Sequence, residues 1–256
     1  MVPPGTFTQG PTDDSLSLEL GNDSVGTVAG KHPVRKVTLT RGFFLGKYEV
    51  SVEQWKRYAR ETGARIPVPN WQLNLQILPT GLGQNDWLWG EGVDFTLGDS
   101  HPVLNVSHVE ARAYCDWAGL RLPTEAEWEY GACGGRRVKY PWGDEEPSHE
   151  LTNMLGDDDG YPYTAPRAAF RADVSGFGAY NMAGNVSEHV QDYLGPFPEG
   201  DAVDPTGPPS GARRVIRGGA WSLEWAPIFT VFTRDSQVED DTDWRVGFRV
   251  ALTPSR

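Results

Sequence analysis

Thiols, basic residues and long apolar runs are all scarce in this chain, and each scarcity closes off a class of function. Only two cysteines, Cys115 and Cys133, occur among 256 residues. They stand 18 positions apart (133 − 115) without a CxxC or a paired histidine, which argues against a zinc site. They are read either as two buried thiols or as one disulfide. Lys and Arg number 23 against 35 Asp and Glu, so the net charge is −12. Such a surface repels polyanions, and no nucleic-acid partner is expected. Short basic clusters such as Arg213-Arg214 with Arg217 are read as ion-pair partners. No apolar run approaches the ~20 residues of a membrane helix, so no membrane insertion is expected. The opening Met1-Val2-Pro3-Pro4-Gly5 has neither the basic nor the apolar part of a signal peptide. A mature form with its leader trimmed would look the same, so the compartment is left open, periplasm and secretion included. P-loop, GxGxxG, HExxH and GxSxG motifs are missing. His108, His149 and His189 are scattered, without a neighbour in sequence that would single one out as a base.

What the chain does have is 30 Gly, 20 Pro and 10 Trp, the composition of a loop-rich fold with enough apolar mass for a core. The first 50 residues read as β structure joined by turns, notably Val34–Leu39 and Phe43–Leu45. Ser51 with Gln54 forms a capping box, and Val52, Trp55, Tyr58 and Ala59 share one helical face up to Gly63. Ser107 with Glu110 repeats the box for a helix over about Val109 to Ala118, stopped by Gly119. Thr124 with Glu127 starts a third helix carrying Trp128. Residues 64–100, with Trp71, Trp87 and Trp89 among prolines, are read as an ordered insertion over part of the molecule. Beyond about residue 135 helical periodicity gives way to short glycine-punctuated segments. No linker divides the chain, which predicts one α+β domain over residues 1–256, with few helices, short strands and much ordered coil.

Seven blocks, in order, then resemble one family. They are Gly46-Lys47-Tyr48-Glu49-Val50-Ser51, His101–Ser107, Arg121–Tyr130, Tyr140-Pro141-Trp142-Gly143, Tyr180–Val186, Arg217-Gly218-Gly219-Ala220-Trp221 and Gly247-Phe248-Arg249. Together they resemble the formylglycine-generating enzymes, the sulfatase-modifying-factor family, which implies a C-type-lectin-like fold. The blocks are mostly scaffold, so they imply a fold before an activity.

The resemblance also implies up to two structural calcium ions, an ion that takes six to eight oxygen ligands. Asn153 and Asp159 side chains with the Met154 and Tyr161 carbonyls match the first site. Asn181 and Glu188 side chains with the Gly184 and Val186 carbonyls match the second. The plainer account makes Asp157–Asp159 a solvated turn and Asn181 and Asn185 turn residues. Where the family has a Trp before that Glu, this chain has Ser187, and His189 follows.

In the catalytic members two cysteines after the Gly-Gly-aromatic motif bind copper(I), a task for soft thiolates. Here the stretch runs Ser222-Leu223-Glu224-Trp225-Ala226-Pro227-Ile228-Phe229-Thr230-Val231-Phe232-Thr233-Arg234 without a cysteine. No copper, and no formylglycine generation by the known route, is expected. Two readings of this apolar stretch remain. One is a buried strand over Ile228–Phe232. The other is a recognition surface for a peptide or small molecule, built by Trp225, Ile228, Phe229 and Phe232 with Glu224 and Arg234 as polar guides. The functions to weigh are a calcium-stabilised binding module, such as the variable lectin-like proteins of diversity-generating retroelements, and an oxidative tailoring enzyme of the siderophore (pyoverdine) type. A non-catalytic part of a larger assembly is a third.

Overall fold

A computed structural model of the chain describes residues 1–12, 33–67 and 98–254. Most of the insertion expected over 64–100 lies outside the described residues. Three helices form where the capping boxes place them: α1 (Val52–Thr62), α2 (His108–Ala118) and α3 (Glu125–Cys133). In α1, Ser51 Oγ accepts the Gln54 amide while Gln54 Oε1 accepts the Ser51 amide, and α2 and α3 repeat this reciprocity. Each helix ends on a left-handed glycine, Gly63, Gly119 or Gly134.

The strands are short. They are β1 (Gly5–Gln9), β2 (Arg35–Leu39), β3 (Phe44–Leu45), β4 (Ser187–Tyr193), β5 (Ala202–Val203), β6 (Arg214–Arg217), β7 (Arg234–Gln237), β8 (Val246–Phe248) and β9 (Ala251–Leu252). They make three sheets, ordered β1-β2-β5, β3-β9 and β7-β6-β4-β8. In the last, β4 runs antiparallel to β6 and parallel to β8. Its register sets Glu188 beside Arg217, and Arg217 beside Arg234.

The main core joins α3 to the sheets through Trp128, Phe7, Val37, Phe43, Met182, Val215 and Phe232. A second cluster forms between α1 and α2, where Trp55 stacks on Tyr114 with centroids 5.8 Å apart. Trp128 has no exposed surface, so its truncation to Ala would cost about 3–5 kcal/mol. The thiol alternative holds: Cys115 and Cys133 are free, sit in different clusters, and burial pushes both thiols up to about 12.

The strand expected over Ile228–Phe232 does not form. A 3-10 turn occupies Ala226–Phe229 instead. Pro227 lacks the amide a ladder needs, and its carbonyl accepts both Thr230 Oγ1 and Thr233 Oγ1, closing the chain on itself.

Candidate functional site

Two loops gather oxygen atoms beneath β4. In the first, Asp157 and Asp158 are solvent-facing as the plainer account expected, but the Asp159 side chain is buried. Asp159 Oδ1 accepts the Tyr161 amide at 2.7 Å, and the Met154 amide also approaches this carboxylate. Its Oδ2 accepts no hydrogen bond, with His149 Nδ1 3.8 Å away, and Asn153 Oδ1 has none either, while Asn153 Nδ2 donates to the Tyr163 carbonyl. Burial raises the Asp159 pKa. Two orphaned buried oxygens on one loop suit a hard cation.

The second loop is held against the first. Asn185 donates its amide to the Asn153 carbonyl, and a Cβ on Gly184 would lie 2.3 Å from that same oxygen. Asn181 and Asn185 both take left-handed φ angles, 56° and 70°. Their Nδ2 groups donate to the two oxygens of Glu49, at 3.0 and 2.8 Å, and Asn181 Oδ1 is buried without a partner. Glu188 is differently engaged. Arg249 reaches both of its oxygens at 2.6 Å, and Trp128 Nε1 donates at 2.7 Å. The carboxylate facing the Asn pair is therefore Glu49, with Glu188 behind it. Burial pushes the Glu49 carboxyl up to about 7, and the nearby Glu188 charge adds to this while Arg249 opposes it. Burial likewise lifts Asp173, which accepts from Thr152 Oγ1, to about 7. Three carboxylates share the single Arg249 charge, an excess that a divalent cation would neutralise.

The apolar stretch after Trp221 goes mostly inward. Ile228 and Phe229 pack with Tyr140 and Ala183, and Phe232 joins the main core. These three are core residues and not the surface expected of them; Glu224 and Trp225 alone stay exposed, Trp225 at 40%. Phe229 lies so close to Gly219 that a Cβ there would be 2.5 Å from the ring. Between Leu223 and Ile228 a recess of only about 10 Å3 remains, bordered by Asp235 and Arg245.

Arg234 opens on a different feature, a cavity of about 570 Å3. Its floor is a buried ionic network. Glu125 takes Arg234 through both oxygens and Arg217 at 3.0 Å, and Arg217 also reaches Glu129 at 2.8 Å. Asp192 accepts the Glu125 amide at the start of α3, at 2.8 Å. Burial, reinforced by Glu125, pushes its carboxyl up to about 7. The Phe197 ring lies close to two guanidinium groups, Arg234 at 4.1 Å and Arg35 at 4.7 Å from its centroid.

The sequence reading missed Glu49, Asp173, Glu125, Asp192, Arg35 and Phe197. Glu49 carried one local signal, a charge set between the apolar Tyr48 and Val50. The others are joined only by the fold.

The description "sulfatase-modifying factor enzyme 1-like domain" matches residues 1–254. The chain is 31% identical over 288 aligned positions to the formylglycine-generating enzyme of Bos taurus, covering 98% of this chain and 73% of that protein. It is 32% identical to the formylglycine-generating enzyme of Thermomonospora curvata, covering 99% of this chain and 92% of that protein. Among solved structures, PvdO from Pseudomonas aeruginosa superposes with a TM-score of 0.72 at 26% identity, covering 98% of this chain and 92% of that one.

Proposed function

Since the chain belongs to the sulfatase-modifying factor enzyme 1-like family, we propose that it is a ligand-binding member in which calcium organises the loops and no copper centre forms. The ligand, a peptide or small molecule, enters the cavity beside Arg234. Arg234 keeps the binding role the sequence suggested, while Glu224 and Trp225 remain on the exterior.

One observation carries this reading. The stretch that bears thiolates in catalytic relatives has none, its apolar side chains are packed inward, and Arg234 at its end lines a cavity of drug-like size. Cys115 and Cys133 are buried elsewhere, with thiols held in the neutral form.

For calcium, the first ion would be held by Asn153 and Asp159 side chains with the Met154 and Tyr161 carbonyls. The second would be held by Asn181 and Glu49 with the Gly184 and Val186 carbonyls, Glu188 tying Arg249 behind them. The role is structural: a cation satisfies buried oxygens that coil leaves unmatched. The orphaned Asn153, Asp159 and Asn181 oxygens support it.

The test is a ligand-observed NMR screen of peptide and small-molecule fragments against wild type and Phe197→Ala. Binding seen in the wild type and lost in the variant is expected; binding indifferent to Phe197, or none at all, overturns the cavity. In parallel, copper(I) and a cysteine peptide should leave the peptide mass unchanged, and an aldehyde product overturns the copper-free reading.

A second reading, a tailoring enzyme acting on the ligand it holds, is favoured by Asp192, a cavity carboxyl poised near neutrality. Turnover abolished by Asp192→Asn with binding retained would decide for it.

A further inference from the structure

We infer that the cavity under Phe197 selects ligands carrying one carboxylate on an apolar body, with the carboxylate bound by Arg35. This rests on the cavity reading above and adds the ligand class.

Three buried arginines near the cavity are compensated unequally. Arg217 and Arg234 are neutralised by Glu125 and Glu129. Arg35, only 6% exposed, has no carboxylate within 4 Å among the described residues. Its Nε donates to Gln9 Oε1 at 2.9 Å and its Nη1 to the Pro198 carbonyl at 3.2 Å. A guanidinium has five N–H donors, and among the described residues no acceptor faces the Nη2 edge. That edge belongs to a residue lining an open cavity.

Burial pushes the Arg35 pKa down, Glu125 and Glu129 support its charge only from beyond 4 Å, and an incoming anion would pair with it directly. Three arginines, Arg35, Arg217 and Arg234, lie with three carboxyls, Glu125, Glu129 and Asp192, and burial with the neighbouring Glu125 raises Asp192 to about 7. Its Oδ2 is already committed to the Glu125 amide.

Most of the remaining side chains of the lining are apolar, Phe197, Ala126 and five prolines between Pro196 and Pro209, with Gln9 and Thr206 as the polar exceptions. Such walls accept a hydrocarbon or aromatic body. Phe197 is held in place by the neighbouring Arg35 and Arg234 guanidiniums, 4.7 and 4.1 Å from its ring centroid. The cavity lies across β6 from the recess at Leu223 and Ile228. Ile216 borders that recess, whereas Arg217, the next residue, points to the Glu125 network.

A free carboxylic acid and the C-terminus of a peptide share this chemistry. The probes are therefore 3-phenylpropionate with 3-phenylpropanamide, and a pentapeptide ending in Phe with a free or an amidated terminus. Titration calorimetry on the full chain should find at least one acid bound about 10–100-fold more tightly than its amide, the worth of one charge-assisted hydrogen-bonded contact. The pair that shows the preference identifies the source. Arg35→Gln should remove the preference, and Phe197→Leu should weaken acid and amide alike. Equal binding of acid and amide overturns the carboxylate class while leaving the cavity reading intact; so does a preference that survives Arg35→Gln. Failure of both acids to bind also overturns the class, and the cavity reading fails separately, if the fragment screen shows no Phe197-dependent ligand. Should Arg35→Gln fail to fold, the acid–amide comparison on the wild type decides alone.

Discussion

Arg234 and Glu125 meet through two parallel contacts, Nε to Oε1 at 2.7 Å and Nη2 to Oε2 at 2.8 Å, with both side chains nearly inaccessible to water. The pair ties β7 to the first residue of α3 and forms the floor of the Phe197 cavity. Because Glu125 also receives Arg217, it is the shared centre of the network. Bidentate geometry makes each contact strong, but the stability follows from completeness: no member can leave without stranding a charge.

Glu125→Gln should therefore cost about 3–5 kcal/mol, since it takes away the carboxylate that pairs with Arg234 and leaves Arg217 with Glu129 alone. Urea unfolding of the variant measures this. A cost below about 1 kcal/mol, the value of an exposed pair, would show that water reaches the network.

Gly219→Ala tests the packing of the refilled stretch. The new methyl would stand 2.5 Å from Phe229 Cδ1 and 2.6 Å from the Ala183 carbonyl. The expected loss is about 1–3 kcal/mol from overpacking, with partial rescue by Phe229→Leu in the double variant. Additive losses in that cycle would mean the two residues are not in contact.

Much of the scaffold was legible because its signals are local. Ser51, Ser107 and Thr124 each lie three residues from the partner that completes the cap, so helix starts could be read without tertiary knowledge. The cavity could not. Arg35, Glu125, Asp192 and Arg234 are separated by up to 199 positions (234 − 35) and meet only through sheet order. The inward fate of Ile228, Phe229 and Phe232 was also hidden. An apolar run reads alike as core or as recognition surface, and only Pro227, which denies it a ladder, hinted that it was no strand. Glu188 was expected to bind a cation directly; its bond to Arg249 depends on β4 lying beside β8, a parallel pairing without a local signature.

Calcium should raise the melting temperature, and Asp159→Asn should abolish that rise. Ion at about 100 times its dissociation constant adds ~2.7 kcal/mol, or roughly 5–10 °C for a chain of this size. The melting point without calcium separates ligand from mere structure. Asp159 Oδ2 is buried with no hydrogen bond and, among the described residues, only His149 Nδ1 at 3.8 Å to pair with, so in chelator the variant should melt near the wild type. A chelator-insensitive wild type, or a variant that keeps the full calcium shift, would sink the first site.

Acid sensitivity should trace in part to His108. Its Nε2 pairs with the Val190 carbonyl at 3.0 Å, and its ring meets that of His189 edge-on at 5.7 Å. Burial, with the neighbouring His189, Arg214 and Arg112, pushes His108 down to about 3, although Glu239 stands 3.6 Å from Nδ1. The native ring thus refuses a proton that the unfolded chain accepts below about 6.5. Stability is lost as pH falls through that window, at about 1.4 kcal/mol per pH unit for this one group. The carboxyls of Glu49, Asp173 and Asp192, raised to about 7, pull the opposite way between about pH 4 and 7, because there the native state holds their protons. The total slope therefore mixes both, and a difference measurement isolates the histidine. His108→Gln keeps a donor for Val190 and removes the titration. Wild type should fall relative to this variant by about 1.4 kcal/mol per pH unit between about pH 6 and 4. Parallel curves for the two proteins, or an NMR titration placing His108 near 6.5, would show that the ring is hydrated and the packing of α2 against β4 looser than described.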